Sequence, residues 1–400
     1  MGWEAACYDA QFLFRGFEPA DPSASLERIG RRRRGMLRAA LIGFGSSGKS
    51  TLFQLMTSAR DTLRGGQGKA DATIGVSRVP DARLDTLTAM YNPRKRVPAT
   101  VEFADFAGTG QSASAQALVD VVAYKNAHAL VHVVRAFRDD AVAHPSGSID
   151  PARDAQAMED ELILADLGVA ERRLERLEKD LKKSKSVDFE RERDVLVQCR
   201  AALEEGRPLR ALELHGDDLR RLRGFQFLSA KPLLIVINLD EGDVASATNV
   251  RDAAAATGLA PFLSRASTGA AAVCAKIELE IAQLDPADAR TFLADLGLSE
   301  SGLDRVVRAS YDLLGYISFF TVGEDECRAW SIPRGTTAQL AAGEIHSDIA
   351  RGFIRAEVVS YDALTTRGTM AACRDHGEVR LEGKEYVVQD GDIINFRFAT

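Results

Sequence analysis

Residues Gly43-Phe44-Gly45-Ser46-Ser47-Gly48-Lys49-Ser50 spell G-x-x-x-x-G-K-S, followed by Thr51. These residue types at this spacing suit one chemistry, the cradling of a phosphate chain. Glycines let the backbone turn with its N–H groups pointing inward, and a helix start adds its positive dipole. Lys49 would reach β- and γ-phosphate oxygens, and the Ser50 hydroxyl would ligate Mg²⁺. Asp105-Phe106-Ala107-Gly108 has the D-x-x-G spacing, in which the carboxylate holds Mg²⁺ through water and the Gly108 N–H meets the γ-phosphate. Asn238-Leu239-Asp240-Glu241 stands where guanine-reading proteins carry N-K-x-D, with Leu239 for the lysine and Glu241 for the aspartate. The longer Glu241 alters the reach of a carboxylate that would otherwise accept both guanine donors, so strong guanine preference is not expected. Val273-Cys274-Ala275-Lys276 suits the last base-contacting loop, through the backbone of Cys274 and Ala275, with Cys274 a buried neutral thiol.

These groups need strands that end beside one another. Leu37 to Ile42, Ala99 to Ala104, Ala129 to Val134 and Pro232 to Ile237 are apolar runs, each followed by loop-type residues. Strands buried on both faces of a parallel sheet read this way, with ligands gathering at their carboxyl ends. His128 and His132, four apart in the apolar stretch Ala127 to Val134, are expected as satisfied strand histidines and not as a metal pair. From Asp154 to Glu205 the texture is helical, with Leu167, Ala170, Leu174, Leu177 and Leu181 at coiled-coil spacing. Glu175 with Lys179 and Glu178 with Lys182 offer i,i+4 pairs, and Ser184-Lys185-Ser186 interrupts, predicting a helical hairpin. Gly297 to Gly315 reads as a helical connection. From Ser318 short strands are expected at Phe319–Val322, Cys327–Ile332, Ala356–Val359, Glu385–Val388 and Ile393–Phe398, with one helix near Thr337 to Gly343.

Composition limits the alternatives. A net charge of −7 over 400 residues excludes a generally basic nucleic-acid coat, though not a local patch. Arg328, Arg334, Arg351 and Arg355 are too few to define one. The five cysteines are scattered without a C-x-x-C pair, which argues for reduced thiols and a cytoplasmic protein. No apolar run has the length of a spanning helix, so no membrane contact is expected. Met1 to Gly35, with Arg31 to Arg34 near its end, reads as an extension ahead of a start at Met36.

Several stretches together resemble the YchF group of Obg-related P-loop NTPases. They include Gly43 to Leu52, Val79 to Leu84, His132 to Phe137, Asp150 to Asp154, Glu161 to Leu167, Asn238 to Glu241, Phe292 to Gly297, Arg328 to Ile332, Ala342 to His346 and Asp390 to Ile394. The resemblance implies an α/β fold: a Ras-like P-loop domain (36–145 and 222–305), an inserted α-helical coiled-coil hairpin (146–221), and a C-terminal β-grasp TGS domain (317–400). It implies Mg²⁺ and ATP, with GTP as the alternative, and a ribosome or RNA partner met by the TGS and helical parts of a monomer.

Both segments that flank the γ-phosphate depart from the family's pattern. Thr73, in Ala72-Thr73-Ile74, is only a provisional Mg²⁺ ligand, because Gly75-Val76 follows at once. After Gly108 the chain has Thr109 where many GTPases place a water-orienting glutamine; Gln111, two residues on, is the substitute catalytic candidate beside Lys49. Two readings stand: a slow ATPase or GTPase, and a nucleotide-gated adaptor with little or no hydrolysis.

Overall fold

A computed structural model of the chain describes residues 37–57, 63–64, 72–106, 124–184, 186–214 and 216–399. The extension before Met36 therefore lies outside the described residues, as do Gly108, Thr109 and Gln111.

β1 (Arg38–Ile42) leads into the phosphate loop and α1 (Lys49–Met56). β2 (Leu63–Arg64), β3 (Ala72–Arg78), α2 (Ala82–Tyr91), β4 (Lys95–Val97), β5 (Thr100–Phe106) and β6 (Ala129–Arg135) follow. After a helical excursion the chain returns with β7 (Leu233–Asn238) and β8 (Thr268–Val273). These strands, β4 excepted, form a seven-stranded sheet in the order β2-β3-β5-β1-β6-β7-β8. The run from β5 to β8 is parallel, whereas β3 is antiparallel to β5 and β2 to β3. Every residue of β6 and β7 is buried, which is why these strands read as unbroken apolar runs. Alternate side chains serve opposite faces: Leu41, Val131 and Val236 pack with Leu52 and Phe103, while Ile42, Leu130 and Ile235 pack with Met158 and Leu162.

The excursion is α3 (Pro151–Lys183) and α4 (Val187–Glu204), packed on each other. Pro151 and the Asp150 cap start α3 where the sequence places a helix start. Ala170, Leu174 and Leu177 of the predicted seam are buried against Leu196, Cys199 and Leu203. The expected Glu175–Lys179 and Glu178–Lys182 pairs do not form; Arg173 instead bridges the helices to Glu192 at 2.7 Å. At the base of the hairpin Arg210 meets Glu159 at 2.5 Å, both side chains almost fully buried.

α5 (Ala275–Ile281) follows β8, and α6 (Gly302–Leu313) packs on it and leads to the second sheet. That sheet uses β9 (Tyr316–Thr321), β10 (Glu326–Pro333), β11 (Phe353–Ser360), β12 (Arg380–Glu382) and β13 (Asp392–Phe398), with α7 (Ala338–Ile345) between β10 and β11. Its order, β12-β11-β13-β9-β10-β4, recruits β4 from the first half of the chain to an edge. The expected strand at Glu385–Val388 is absent, apart from a single bridge from Val387 to Thr337. Its backbone caps a helix: the carbonyls of Tyr386 and Lys384 accept from the N–H groups of Ala338 and Gln339 at the start of α7. Arg380–Glu382 supplies the strand instead. Arg83 of α2 is held between Asp81 and Asp390, and its guanidinium lies 5.3 Å from the Phe320 ring.

Candidate functional site

The loop after β1 is shaped by two glycines that nothing else could replace. Gly43 has φ +140°, and a Cβ there would stand 2.5 Å from the Val133 carbonyl oxygen. Gly48 has φ +94°, and a Cβ there would collide with the Asn238 side-chain amide. Helix α1 opens at Gly48 with no side-chain cap and no acidic residue in its first turn, so its first N–H groups remain available to an anion. The Ser47 hydroxyl is buried and has no partner among the described residues. Phe44 is half-buried, while Gly45, Ser46 and Ser50 are exposed. Lys49 Nζ donates to the carbonyl oxygens of Gly43 and Phe44, both at 2.7 Å. Burial pushes the Lys49 ammonium below its ordinary range, and the Asp105 carboxylate partly offsets this.

Asp105 lies within β5, which runs two residues past the expected end at Ala104. Its register partner on β3 is Thr73. Ser50 and Thr73 carry hydroxyls and Asp105 a buried carboxylate, oxygen donors of the kind Mg²⁺ takes together with phosphate oxygens and water. No cluster of three His, Cys, Asp or Glu side chains that could hold a metal ion occurs among the described residues.

Asn238 ends β7 and is almost fully buried. Its Nδ2 donates to the Ser47 carbonyl at 3.0 Å, and its Oδ1 accepts from the Ala275 N–H at 3.0 Å. This one side chain ties the phosphate loop to both loops that would flank a base. It is therefore a positioning group, and its second Nδ2 N–H has no assigned acceptor among the described residues. Leu239 stands at the lysine position of the motif. Its side chain packs in the core, and its N–H donates to the Val273 carbonyl at 2.8 Å. Cys274 is buried with Val244, Ile277 and Leu298, and burial raises its thiol above the usual range, as a neutral thiol requires. Glu241 stays exposed at the same edge and pairs with Lys276.

His132 of β6 and His128 just before that strand separate in role. His128 Nδ1 accepts from the Arg38 N–H at 3.2 Å. His132 is fully buried beneath the phosphate loop, and its Nε2 has no partner among the described residues, contrary to the expectation of a satisfied ring. Sequence reasoning also passed over Arg135 as an organiser of the neighbouring loop. Its guanidinium donates to the carbonyls of Phe137, Val142 and Asp139 and stacks on Phe137. That loop brings Pro145 within 3.8 Å of where a Gly45 Cβ would stand, and His144 Nε2 meets Asp154 at 2.8 Å. The only sequence signal was an arginine closing an apolar strand.

Comparisons with known proteins bear on the family of the chain. A family model named YchF-GTPase_C, described as a protein of unknown function (DUF933), matches residues 316–399. The chain is 42% identical over 366 residues to the protein named Ribosome-binding ATPase YchF from Bacillus subtilis (strain 168), covering 90% of this chain and 99% of that one. It is 38% identical over 372 residues to the protein of the same name from Escherichia coli O157:H7, again covering 90% and 99%. The solved structure of the Schizosaccharomyces pombe YchF GTPase superposes with a TM-score of 0.75 at 26% identity, covering 92% of this chain and 99% of that one. With such identity sustained along nearly the whole length of its relatives, the chain belongs to the YchF family of P-loop nucleotide-binding proteins.

Proposed function

We propose that this chain is a Mg²⁺-dependent ATPase, able to accept GTP, that associates with the ribosome. The observation that carries the reading is the Asn238 bridge, which presents an open helix start, a glycine-built loop and a base edge as one surface. In this reading the N–H groups of residues 45 to 50 bind the phosphates. Lys49 leaves the Gly43 and Phe44 carbonyls to take β- and γ-phosphate oxygens. Ser50, Asp105 and Thr73 hold Mg²⁺, which when bound neutralises charge on the phosphate oxygens. Gln111 is the candidate for orienting the attacking water, and Gly108 for a γ-phosphate N–H. Ribosome association is supported by the names of the bacterial relatives, and an ATP preference by Glu241 at the base edge. The units proposed to divide the work are the nucleotide domain of 36–145 and 222–305, the hairpin of 146–221, and the C-terminal module of 317–400. They act in a cytoplasmic monomer.

The test is calorimetric titration of the Met36-start protein with non-hydrolysable ATP and GTP analogues, followed by phosphate release against a Lys49→Ala control. ATP-analogue binding with release above the control supports the ATPase. Release equal to the control leaves a nucleotide-gated adaptor, the reading favoured by Thr109 following Gly108; its ribosome co-sedimentation would depend on nucleotide and survive replacement of Asp105. No binding of either analogue refutes both.

A further inference from the structure

The two loops that flank the base edge hold little uncommitted polar chemistry. Asn238 uses Oδ1 and one Nδ2 N–H on Ala275 and Ser47, and the Leu239 and Cys274 side chains are in apolar clusters. Asp240 accepts from the N–H groups of Arg138 and Glu241. What remains exposed is a pair across that edge: the ammonium of Lys276, in the first turn of α5, rests on Oε1 of Glu241, with side-chain exposures of 69% and 43%. The next carboxylate acting on Lys276 is Glu280, one helical turn on.

This pairing changes what Glu241 offers. A carboxylate with both oxygens free accepts two parallel hydrogens, which matches the adjacent N1–H and N2–H donors of guanine. A carboxylate with one oxygen engaged by an ammonium offers one acceptor beside one donor. That combination matches the N6 amino group and N1 acceptor of adenine, and it leaves one guanine donor facing a cation. We propose that Lys276 is a base-discriminating residue, which disfavours guanine by occupying one oxygen of Glu241. The proposal deepens the nucleotide-binding function above and rests on it.

The experiment is titration calorimetry of the Mg²⁺-bound protein with the non-hydrolysable ATP and GTP analogues, for the wild type, Lys276→Ala, Lys276→Arg and Lys276→Ala combined with Glu241→Gln. Lys276→Ala moves the ratio of the two affinities toward the GTP analogue by roughly tenfold, about what one well-made hydrogen bond to a charged group contributes. Lys276→Arg keeps the wild-type ratio, and Glu241→Gln removes the gain. Lys276 is exposed, so an unchanged unfolding midpoint is the control for folding. An unchanged ratio in Lys276→Ala, with the ATP analogue still bound, overturns the role of Lys276 alone. A GTP gain that persists without the Glu241 carboxylate overturns it too. A wild type that binds neither analogue overturns the nucleotide reading itself.

Discussion

Removing the Asn238 side chain tests whether one amide holds the site together. Asn238→Ala strands two buried backbone groups, the Ser47 carbonyl and the Ala275 N–H, each now satisfied at 3.0 Å. A buried polar group left without a partner costs about 1–3 kcal/mol, so the pair predicts a loss of roughly 2–6 kcal/mol. The lower half is favoured if water from the open loop reaches Ser47. Asn238→Asp separates the two bonds. It keeps an acceptor for Ala275 but sets an anionic oxygen against the Ser47 carbonyl, so it should be no milder than alanine for the phosphate loop. Urea unfolding monitored by circular dichroism gives the stability change, and titration with a non-hydrolysable ATP analogue gives the affinity. We expect both variants to lose stability, with affinity falling by about tenfold or more as the loop loosens. A stability loss below about 1 kcal/mol together with wild-type affinity would refute the bridging role.

Three further outcomes follow from described contacts. Burial, helped by the nearby Lys49 ammonium, pushes the His132 imidazole down to about 3 from an ordinary 6.5, so between those values the unfolded chain takes up a proton that the native ring refuses. Stability is therefore full above about pH 6.5 and falls on acidification by up to about 1.4 kcal/mol per pH unit; His132→Leu should flatten that slope in urea titrations, and an unchanged slope would contradict it. Glu159→Ala leaves the Arg210 guanidinium, 1% exposed, without its carboxylate, and thermal unfolding should report a loss of about 3–5 kcal/mol, against little effect if water compensates. Asp390→Ala removes a bidentate partner of Arg83 and an acceptor for the Ser318 N–H, but at 43% exposure solvent screens the pair; we expect about 1 kcal/mol by chemical denaturation, and more than about 3 would show that the contact is under-described.

Much of the architecture was legible because it rests on periodicity and punctuation. The unbroken apolar runs of β6 and β7, the Asp150-Pro151 start and the Ala170-Leu174-Leu177 seam each express burial directly in residue type. The phosphate loop was legible because its backbone tolerates only glycine at two positions. What escaped depended on distant partners. Glu385–Val388 has strand composition, yet the Tyr386 carbonyl, with that of Lys384 just before the segment, is drawn to the α7 N-terminus at Ala338 and Gln339, a competition that no local window contains. Leu239 occupies a lysine position in the motif, but its side chain turns into the core. The bridging role of Asn238 was not legible, because its hydrogen bonds go to two backbone groups far apart in sequence. The ring of His132 was expected to find a partner; its Nε2 is buried without one among the described residues, beside the Gly43 backbone and near the Lys49 ammonium.

The loan of Lys95–Val97 to the second sheet has a consequence for how the molecule is made. Those residues leave the translating ribosome early, while Glu326–Arg328, with which they pair, are among the later residues to emerge. During synthesis the donor strand waits as an unpaired segment, and the last sheet gains its sixth strand only by reaching back across the chain. A fragment cut before β9 would fold, if at all, with one bare edge for each half. The excised C-terminal piece would expose the β10 ladder, a ready template for pairing with another chain. Supplying a peptide spanning Lys95–Val97 to that piece is the simplest way to keep it soluble, and the two halves are better regarded as one cooperative folding unit than as modules joined by a linker.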